Sequence, residues 1–153
     1  YYTPNDDAAD EALSNLYHKL SPHSEGASIH INHREIQARA YAGSVAWFDF
    51  NSLCGTARSQ NDYLDFIRIF DTILLSNVPV MSPAMASQAR RFTWLIDVMY
   101  DHNVKLFVSA QAPAEQLYTE GQMANEFFRT VSRLVEMQSK EYLERDVIAV
   151  KDL

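Results

Sequence analysis

Glycine and lysine are scarce in this sequence. Its lysines are Lys19, Lys105, Lys140 and Lys151, none of them follows a glycine, and the whole chain has only 4 glycines. A loop that cradles nucleotide phosphates needs glycines, whose backbone N–H groups can approach the phosphates, and a lysine after them. The chain therefore lacks such a loop, and we expect it to bind no nucleotide cofactor in this way by itself.

Positive charge is also in short supply. The chain has 13 Lys and Arg residues against 20 Asp and Glu residues, and its formal net charge is −7. Binding to DNA or RNA without regard to sequence needs a clustered positive surface that displaces counterions. The charge balance therefore argues against nucleic acid as a partner.

Long apolar runs and cysteine pairs are missing as well. The sequence contains no run of about 18 apolar residues, so we expect no membrane-spanning helix. The single cysteine, Cys54, cannot form an internal disulfide, which fits a reducing compartment such as the cytoplasm. The sequence opens at Tyr1 without an initiating methionine, and we interpret it as a piece of a longer protein.

What is present suffices for one domain with a proper core, since the chain has 153 residues. Thr3 and Pro4 predict a helix start, because threonine caps helices and proline suits the first helical position. Apolar residues at helical spacing would continue this helix to Leu20. Between about residues 28 and 50, alternating apolar residues and short turns predict two or three antiparallel strands.

The clearest pattern lies between residues 71 and 110. Two short apolar stretches predict buried strands at about 72–76 and 104–109. The helix between them begins near Ser82 and Pro83. It carries an apolar stripe with a period of about 3.6 residues, formed by Met85, Ala89, Phe92, Leu95, Ile96 and Met99. We therefore predict a βαβ unit with parallel strands and a right-handed crossover.

Two more helices complete the predicted fold. Ser59 and Asp62 are typical of a helix start, and that helix would run to about Phe70. The last helix would cover about Ala124 to Leu143, with a buried face made by Phe127, Phe128, Val131, Leu134 and Val135. The prediction is an α/β fold with a mixed sheet, in which helices pack on a βαβ unit and an antiparallel region. It forms one domain over residues 1–145, followed by a loose tail over residues 146–153.

Histidine and cysteine provide only weak candidates for a metal or catalytic site. His30 and His33 are three residues apart, and on a strand this spacing points them to opposite faces. With His23 in the preceding loop, no cysteine or acidic pair completes a tetrahedral metal site. Cys54 fits the apolar packing role that free cysteines usually have. We expect no metal site and rank catalysis by Cys54 last.

Four arginines are better candidates. Arg90 and Arg91 are adjacent on the helix of the βαβ unit, and Arg129 and Arg133 lie four residues apart and so share a face of the last helix. Arginine can pair bidentately with a carboxylate or a phosphate. They either form internal salt bridges, for which Asp97, Glu126 and Glu136 offer partners, or reach a nucleotide held elsewhere in a parent protein or a neighbouring subunit.

Several ordered segments resemble one protein family over nearly the whole chain. They read FNSLCGTARSQNDYLDF, FDTILLSNVPVM, QARRFTWLIDVMYDHNVKLFVSA, AEQLYTEG and FFRTVSRLVEMQSKEYL. Together they resemble the C-terminal part of the ZapE-type ATPases, whose mitochondrial members are called ATPase-family-gene-one or lactation-elevated proteins. The ARSQNDYL segment is most similar to the bacterial cell-division form.

The resemblance implies an AAA+-related ATPase whose phosphate-binding loop and acidic magnesium motif lie in an N-terminal part. MgATP would bind there, and this chain would have that N-terminal half as its partner. In bacteria the family is associated with the division-ring protein FtsZ and the inner face of the membrane. Its mitochondrial members are associated with the turnover of inner-membrane respiratory proteins, so FtsZ or inner-membrane client proteins are implied as further partners.

The resemblance also gives a meaning to Asn77. Family members often carry Asp at this position and His in place of Asp71. The order strand, helix, strand, then Pro113 and Gly121 resembles that of the family's ATPase core, so this chain is either a degenerate internal repeat of a P-loop ATPase core or an independent α/β unit. An amide cannot replace a carboxylate at magnesium, so the departures at Asn77 and Asp71 put an acidic function in doubt here, and the repeat hypothesis makes Asn77 the position of a degenerate acidic motif.

Two functions of different classes follow. In the leading one, the chain is a non-catalytic C-terminal domain that regulates or completes the ATPase site of its parent, or docks a client protein, with Arg90, Arg91, Arg129 and Arg133 as phosphate or interdomain contacts. The alternative is a pure adaptor with no effect on hydrolysis, which would bind its client through exposed apolar residues of the segment YAGSVAWF, residues 41–48.

Overall fold

The computed structural model describes residues 1–21, 26–31 and 34–150, and the side chain of Ala27 also lies outside the description. Its strands are β1 (Gly26–Ile31), β2 (Arg34–Ala42), β3 (Val45–Asp49), β4 (Thr72–Val78) and β5 (Lys105–Ala110). Its α-helices are α1 (Asp7–Leu20), α2 (Phe50–Cys54), α3 (Gln60–Ile69), α4 (Ala86–Asp101), α5 (Phe127–Met137) and α6 (Lys140–Leu143). Short 3₁₀ turns cover Pro83–Met85 and Ala114–Gln116.

The described strands form a mixed sheet of five strands in the order β1-β2-β3-β4-β5. The pairs β1/β2 and β2/β3 are antiparallel, whereas β3/β4 and β4/β5 are parallel. The predicted α/β fold is therefore confirmed, with its antiparallel region and its parallel pair β4/β5. The structure adds that β3 belongs to both halves, since it pairs antiparallel with β2 and parallel with β4.

Strand β4, in the parallel part of the sheet, is buried over most of its length. Ile73, Leu74 and Leu75 of β4 are fully buried, as the apolar run predicts. Ser76 follows them and is buried too, but its Oγ accepts a hydrogen bond of 2.8 Å from Trp47 Nε1. A buried polar group needs such a partner, so Ser76 and Trp47 fit this site together.

Helices α3 and α4 pack on one face of the sheet and close the larger part of the core. Phe48 of β3 meets Phe66 of α3 edge-on, with ring centroids 5.5 Å apart. The apolar stripe of α4 is buried as predicted from Ala89 to Met99, whereas Met85 lies before the α-helix in a 3₁₀ turn and is only half-buried. Asn103 lies between α4 and β5 and has a positive φ of 55°. Asparagine tolerates this conformation better than most residues do.

The start of α1 differs from the prediction. The N-cap is Asp6, whose side chain accepts from Ala9 N, and the helix begins at Asp7. Thr3 is too far along the chain from the first helical residue, Asp7, to act as the cap, and Tyr2 just before it is paired with β5. There Tyr2 N donates to Val108 O, and Tyr2 O accepts from Ala110 N. Helix α1 then covers the opposite face of the sheet from α3 and α4, over a smaller cluster formed by Leu13, Tyr17, Val45, Trp47 and Leu74.

The last helix also differs from the prediction. Instead of one helix over residues 124–143, the chain forms α5 and the short α6, and Ser139 Oγ caps α6 by accepting from Tyr142 N. Phe128 and Val135 are exposed rather than buried. The buried face of α5 is centred on Phe127, Leu134 and Met137. It is narrower than the face that the sequence pattern of this helix predicts.

Residues 146–150 follow α6 without regular secondary structure. Ile148 N donates to His102 O at 2.9 Å, and Asn103 Nδ2 donates to Asp146 O at 3.1 Å. The side chain of Val150 packs against the core. This segment therefore lies along the turn between α4 and β5. That turn is at the opposite end of the parallel strands from Asn77.

Candidate functional site

Asn77 lies where the parallel strands end, at the edge of an α/β sheet where ligands usually bind. Its φ is 65°, in the left-handed region that asparagine tolerates. Asn77 Nδ2 donates to Asp49 Oδ1 on β3 at 3.0 Å, and Asn77 N donates to Ser109 Oγ on β5 at 3.0 Å. Asn77 therefore joins the ends of three strands through its side-chain amide and its backbone N–H, and its side chain lies beside the carboxylate of Asp49.

Arg39 neutralises that carboxylate. Its Nη2 is 2.9 Å from Asp49 Oδ1, its Nη1 contacts Asp10, and its guanidinium lies 5.0 Å from the centre of the Trp47 ring. Burial works against the charge of Arg39, but the hydrogen bonds to Asp49 and Asp10 outweigh it and raise the pKa of the guanidinium. The end of the parallel strands is therefore an internally paired polar network.

A magnesium site has no support at this edge. A divalent cation prefers several carboxylate oxygens, whereas Asp49 is already shared between Arg39 and Asn77. Within residues 1–21, 26–31 and 34–150, no group of three or more His, Cys, Asp and Glu side chains could hold a metal ion.

Arg129 and Arg133 converge on a single carboxylate. Arg129 Nη2 is 3.0 Å from Asp97 Oδ2, and Arg133 Nη1 contacts Asp97 Oδ1. The guanidinium of Arg133 also lies 4.8 Å from the centre of the Tyr100 ring. These contacts join α5 to α4, so two of the four candidate arginines carry out a structural task, although Arg129 keeps 62% of its side chain exposed.

Arg90 and Arg91 have a different environment. Arg90 is exposed, and its Nε donates to Met123 Sδ at 3.3 Å. Arg91 is half-buried, and its Nη1 donates to Cys54 O at 3.0 Å. Neither guanidinium has a carboxylate within salt-bridge distance among the described residues. The four candidate arginines thus form two groups. Arg129 and Arg133 on α5 have a carboxylate partner, whereas Arg90 and Arg91 on α4 have none among the described residues.

Arg58 is a further cation that the sequence analysis does not single out. Its Nη2 donates to Ser52 O at 2.9 Å, and its buried Nε has no hydrogen-bond partner among the residues that the structure describes. Arg58 and Arg91 therefore both bind carbonyl groups near the carboxyl end of α2, where the helix dipole favours a cation. The signal available in the sequence is its position just after the Cys54-Gly55 helix end, which a search for metal ligands or phosphate loops does not detect.

Cys54 and the histidines form no catalytic arrangement in the described residues. Cys54 is fully buried, and burial raises the pKa of its thiol to about 12. The thiolate that catalysis needs is therefore absent near neutral pH. His30 is exposed on β1, whereas His23 and His33 lie outside the described residues.

The predicted client-binding segment YAGSVAWF is not an exposed apolar surface. Ala42, Val45, Ala46, Trp47 and Phe48 are all buried, and only Gly43 and Ser44 at the turn are exposed. The prediction was wrong because β3 lies in the interior of the sheet, between β2 and β4, with helices on both faces. A strand that is covered on both faces carries continuous apolar residues for packing.

No helix in the described part of the chain combines the length and apolar character that crossing a membrane requires.

Comparison with known proteins extends over almost the whole chain. Residues 1–146 match a protein-family model described as AFG1-like ATPase. The cell division protein ZapE of Escherichia coli (strain K12) is 43% identical over 122 residues, which cover 80% of this chain and 32% of that protein. The lactation elevated protein 1 homolog B of Danio rerio is 31% identical over 178 residues, which cover 93% of this chain and 35% of that protein.

The chain thus spans about a third of the length of these curated relatives. No solved structure matches it.

Proposed function

This chain belongs to the AFG1-like ATPase family, and on that basis we propose that it is a non-catalytic C-terminal domain of a longer ATPase. In this proposal it regulates or completes the ATPase site of that protein. The rest of the longer protein supplies the phosphate-binding loop and holds MgATP, since this chain has no lysine after a glycine. By itself the chain would hydrolyse no ATP.

The observation that carries the proposal is that Arg90 and Arg91, which are adjacent on α4, have no carboxylate partner within the described residues. A guanidinium is charged at every physiological pH, and its planar N–H donors match a phosphate. Arginines supplied from another domain or subunit stabilise the charge that develops during phosphoryl transfer. In a chain whose net charge is −7, two adjacent unpaired arginines are suited to an anionic group that is brought to them.

Arg129 and Arg133 have a lesser part in this proposal. Asp97 already pairs with both of them, and freeing either one would leave a carboxylate with only 15% of its side chain exposed short of a partner. We therefore assign them mainly to the joint between α4 and α5. The exposed Arg129 remains able to contact a neighbouring domain.

The cellular setting of the proposal comes from the relatives. The Escherichia coli relative is named a cell division protein, and the resemblance of the sequence adds FtsZ and inner-membrane proteins as clients. We place this chain in the same process, in the cytoplasm at the inner face of the membrane. The adaptor alternative keeps the clients but assigns the chain no influence on hydrolysis.

The test is MgATP turnover by the full-length ATPase carrying Arg90→Ala or Arg91→Ala. We expect turnover to fall about tenfold or more in at least one of these variants, equivalent to about 1.4 kcal/mol of transition-state stabilisation. Arg68→Ala is the matched control, since Arg68 is a helical arginine that lies 4.0 Å from Asp65, and it should keep the wild-type rate.

Wild-type turnover in both Arg90→Ala and Arg91→Ala would defeat the regulatory proposal. If these variants also kept their rate while client binding required this chain, the adaptor alternative would be favoured. Turnover by the isolated chain would contradict both.

A further inference from the structure

Arg90 and Arg91 are neighbours in the sequence but their side chains point in different directions. Successive residues of a helix are rotated by about 100° around its axis, so their side chains do not face each other. Arg90 Nε donates to Met123 Sδ at 3.3 Å, whereas Arg91 Nη1 donates to Cys54 O at the end of α2. The two guanidiniums thus contact different parts of the molecule.

Arg58 shares the environment of Arg91. Arg58 Nη2 donates to Ser52 O at 2.9 Å, and Arg91 Nη1 donates to Cys54 O at 3.0 Å. These carbonyl groups belong to residues two positions apart in α2, which corresponds to about 3 Å along the axis of a helix. Both guanidiniums therefore lie at the carboxyl end of the same short helix.

The two guanidiniums also act on the same buried groups. Burial raises the pKa of the Cys54 thiol and of the Tyr63 hydroxyl, and in both cases the charges of Arg58 and Arg91 work in the opposite direction. A charge shifts a pKa mainly when it lies within about 4–6 Å of the group. This shared influence agrees with the hydrogen bonds, which bring both cations to one place.

Negative charge is lacking at this place. Arg58 and Arg91 are half-buried, and neither has a carboxylate within salt-bridge distance in the part of the chain that the structure describes. Arg34 provides the contrast. It donates to Ala57 O at 3.0 Å, but its Nη1 also lies 3.8 Å from Asp62 Oδ2.

The buried Nε of Arg58 indicates the same deficit. It has no hydrogen-bond partner among the described residues, and a buried polar group of a charged side chain is costly without one. Two neighbouring cations also repel each other, so the place is suited to a ligand that carries about two negative charges. A phosphate group carries about −1.5 to −2 near neutral pH, whereas a carboxylate carries a single charge.

We propose that Arg58 and Arg91 form one anion site at the carboxyl end of α2, and that this site takes a phosphate group. The inference rests on the proposed function for the source of that phosphate, which is the nucleotide held by the rest of the protein. It makes Arg58, rather than the adjacent Arg90, the residue that acts together with Arg91.

Binding of inorganic pyrophosphate to this chain tests the site without any hydrolysis. Titration calorimetry at low ionic strength suits the measurement, because salt screens such contacts. Arg58→Met and Arg91→Met remove the charge and keep an unbranched side chain. We expect each to weaken binding about tenfold or more, since hydrogen bonds to charged groups are the strong ones.

Arg90→Met is the matched control and should keep the wild-type affinity for pyrophosphate. Circular dichroism shows whether each variant is folded, and Arg58→Lys or Arg91→Lys, which keep the charge, take the place of one that is not. Those lysine variants should weaken binding less than about tenfold, because they lose only the fork of the guanidinium.

Three results would overturn the anion site. The first is a wild-type chain that does not bind pyrophosphate. The second is wild-type affinity in the variants at positions 58 and 91. The third is a loss in Arg90→Met as large as the loss in Arg58→Met, because Arg90 would then belong to the site.

A double-mutant cycle in the full-length ATPase tests whether both arginines act on one group. If they share a phosphate, the loss of MgATP turnover in the double variant Arg58→Met/Arg91→Met is smaller than the product of the two single losses. Losses that multiply would show two separate contacts and would contradict a shared site.

Failure of the anion site and failure of the proposed function are distinguishable. Weakened pyrophosphate binding in the variants at positions 58 and 91, together with wild-type turnover in Arg90→Ala and Arg91→Ala, would retain the site and remove the regulatory function. Wild-type pyrophosphate binding in those variants, together with reduced turnover in Arg90→Ala, would do the reverse.

Discussion

The side chain of Cys54 is buried among its neighbours and is not accessible for reaction. Its Sγ lies 3.8 Å from the hydroxyl of Tyr63, which itself donates to Leu53 O at 2.7 Å. Arg91 and Arg58 lie near enough to lower the pKa of the thiol, but the effect of burial is larger, and the net shift is upward. The thiol is therefore a packing group whose charged form the fold disfavours.

This burial has a measurable consequence at alkaline pH. The pKa of the thiol rises from 9.0 to about 12 on folding. Between these values the native state holds a proton that the unfolded state has lost, so the free energy of unfolding falls as pH rises. We expect a contribution of about −1.4 kcal/mol per pH unit across this window and none below it. Urea unfolding of the wild type and of Cys54→Ala at several alkaline pH values measures it.

The comparison with Cys54→Ala matters because tyrosines and lysines titrate in the same range. Only the difference between the two proteins reports the thiol. Parallel pH dependence in wild type and variant would show that Cys54 is not protected from ionisation.

Individual residues also show how much of the candidate site can be predicted from the sequence. The sequence and its family resemblance single out Asn77 as an amide that stands for an acidic residue, and this stays a prediction. That Asp49 and Arg39 lie beside it cannot be predicted in this way, because their meeting depends on the register of β3 against β4 and of β2 against β3. The missing ion pairs of Arg90 and Arg91 depend in the same way on where α4 packs.

Among the helices, those with complete local signals are the ones that sequence locates well. At α3, Ser59 Oγ accepts from Asp62 N, and Asp62 Oδ2 accepts from Ser59 N at 2.7 Å, so the capping box satisfies two backbone donors within four residues. Helix α1 also has a local cap, since Asp6 accepts from Ala9 N at 3.0 Å, but Thr3 and Pro4 give a competing start signal just before it. At α5, Glu126 makes no side-chain cap bond within the described residues, and Met123 with its positive φ of 67° lies shortly before the helix.

Two serines allow the capping energy to be measured with an internal control. Ser59 caps α3 through its side chain, whereas Ser82 holds the N-cap position before Pro83–Met85 without a side-chain bond. We expect Ser59→Ala to lower the free energy of unfolding by about 1 kcal/mol, and Ser82→Ala to change it little. Chemical denaturation of both variants decides the matter. Equal losses would mean that the box at α3 contributes nothing of its own.

The whole molecule is organised around a sheet with two kinds of edge. On one side, β1 belongs to a hairpin with β2. On the other, β5 would be left with unpaired backbone groups, and Tyr2 covers part of that edge by bonding to Val108 O and Ala110 N. Open strand edges invite association with other chains, so the first residues protect the sheet as well as extend it.

Removal of residues 1–3 should therefore have two effects. We expect the free energy of unfolding to fall by about 2 kcal/mol, since two half-buried tyrosines are lost. We also expect reversible association through the uncovered edge of β5. Denaturant titration and sedimentation velocity measure the two effects.

Tyr1→Phe is the control for this truncation, because it removes the hydroxyl bond to Ala112 O and keeps the backbone pairing. It should lose less stability and remain monomeric at the same concentration. A truncated protein as stable and as monomeric as the wild type would show that the edge of β5 needs no cover.

At this scale the sequence predicts the class of fold better than its arrangement. The buried run of β4, the stripe of α4 and the turn at Gly43 follow from residue pattern alone, and the mixed sheet follows from them. The position of β3 between the two halves does not, because an apolar strand looks the same whether its neighbour is antiparallel or parallel. For that reason the segment YAGSVAWF, which forms the interior of the sheet, could be mistaken for a surface.

The pairing of Tyr2 with Ser109 also sets an order of events during synthesis. A ribosome releases Tyr2 long before Ser109 exists, so the backbone groups of Tyr2 stay without this partner until β5 has emerged. The antiparallel strands β1, β2 and β3 follow one another closely in the sequence and can pair as they appear. The parallel half needs two long connections, residues 50–71 and 79–104. The antiparallel side of the sheet can therefore form first, and Tyr2 gains its backbone partners only after β5 has been made.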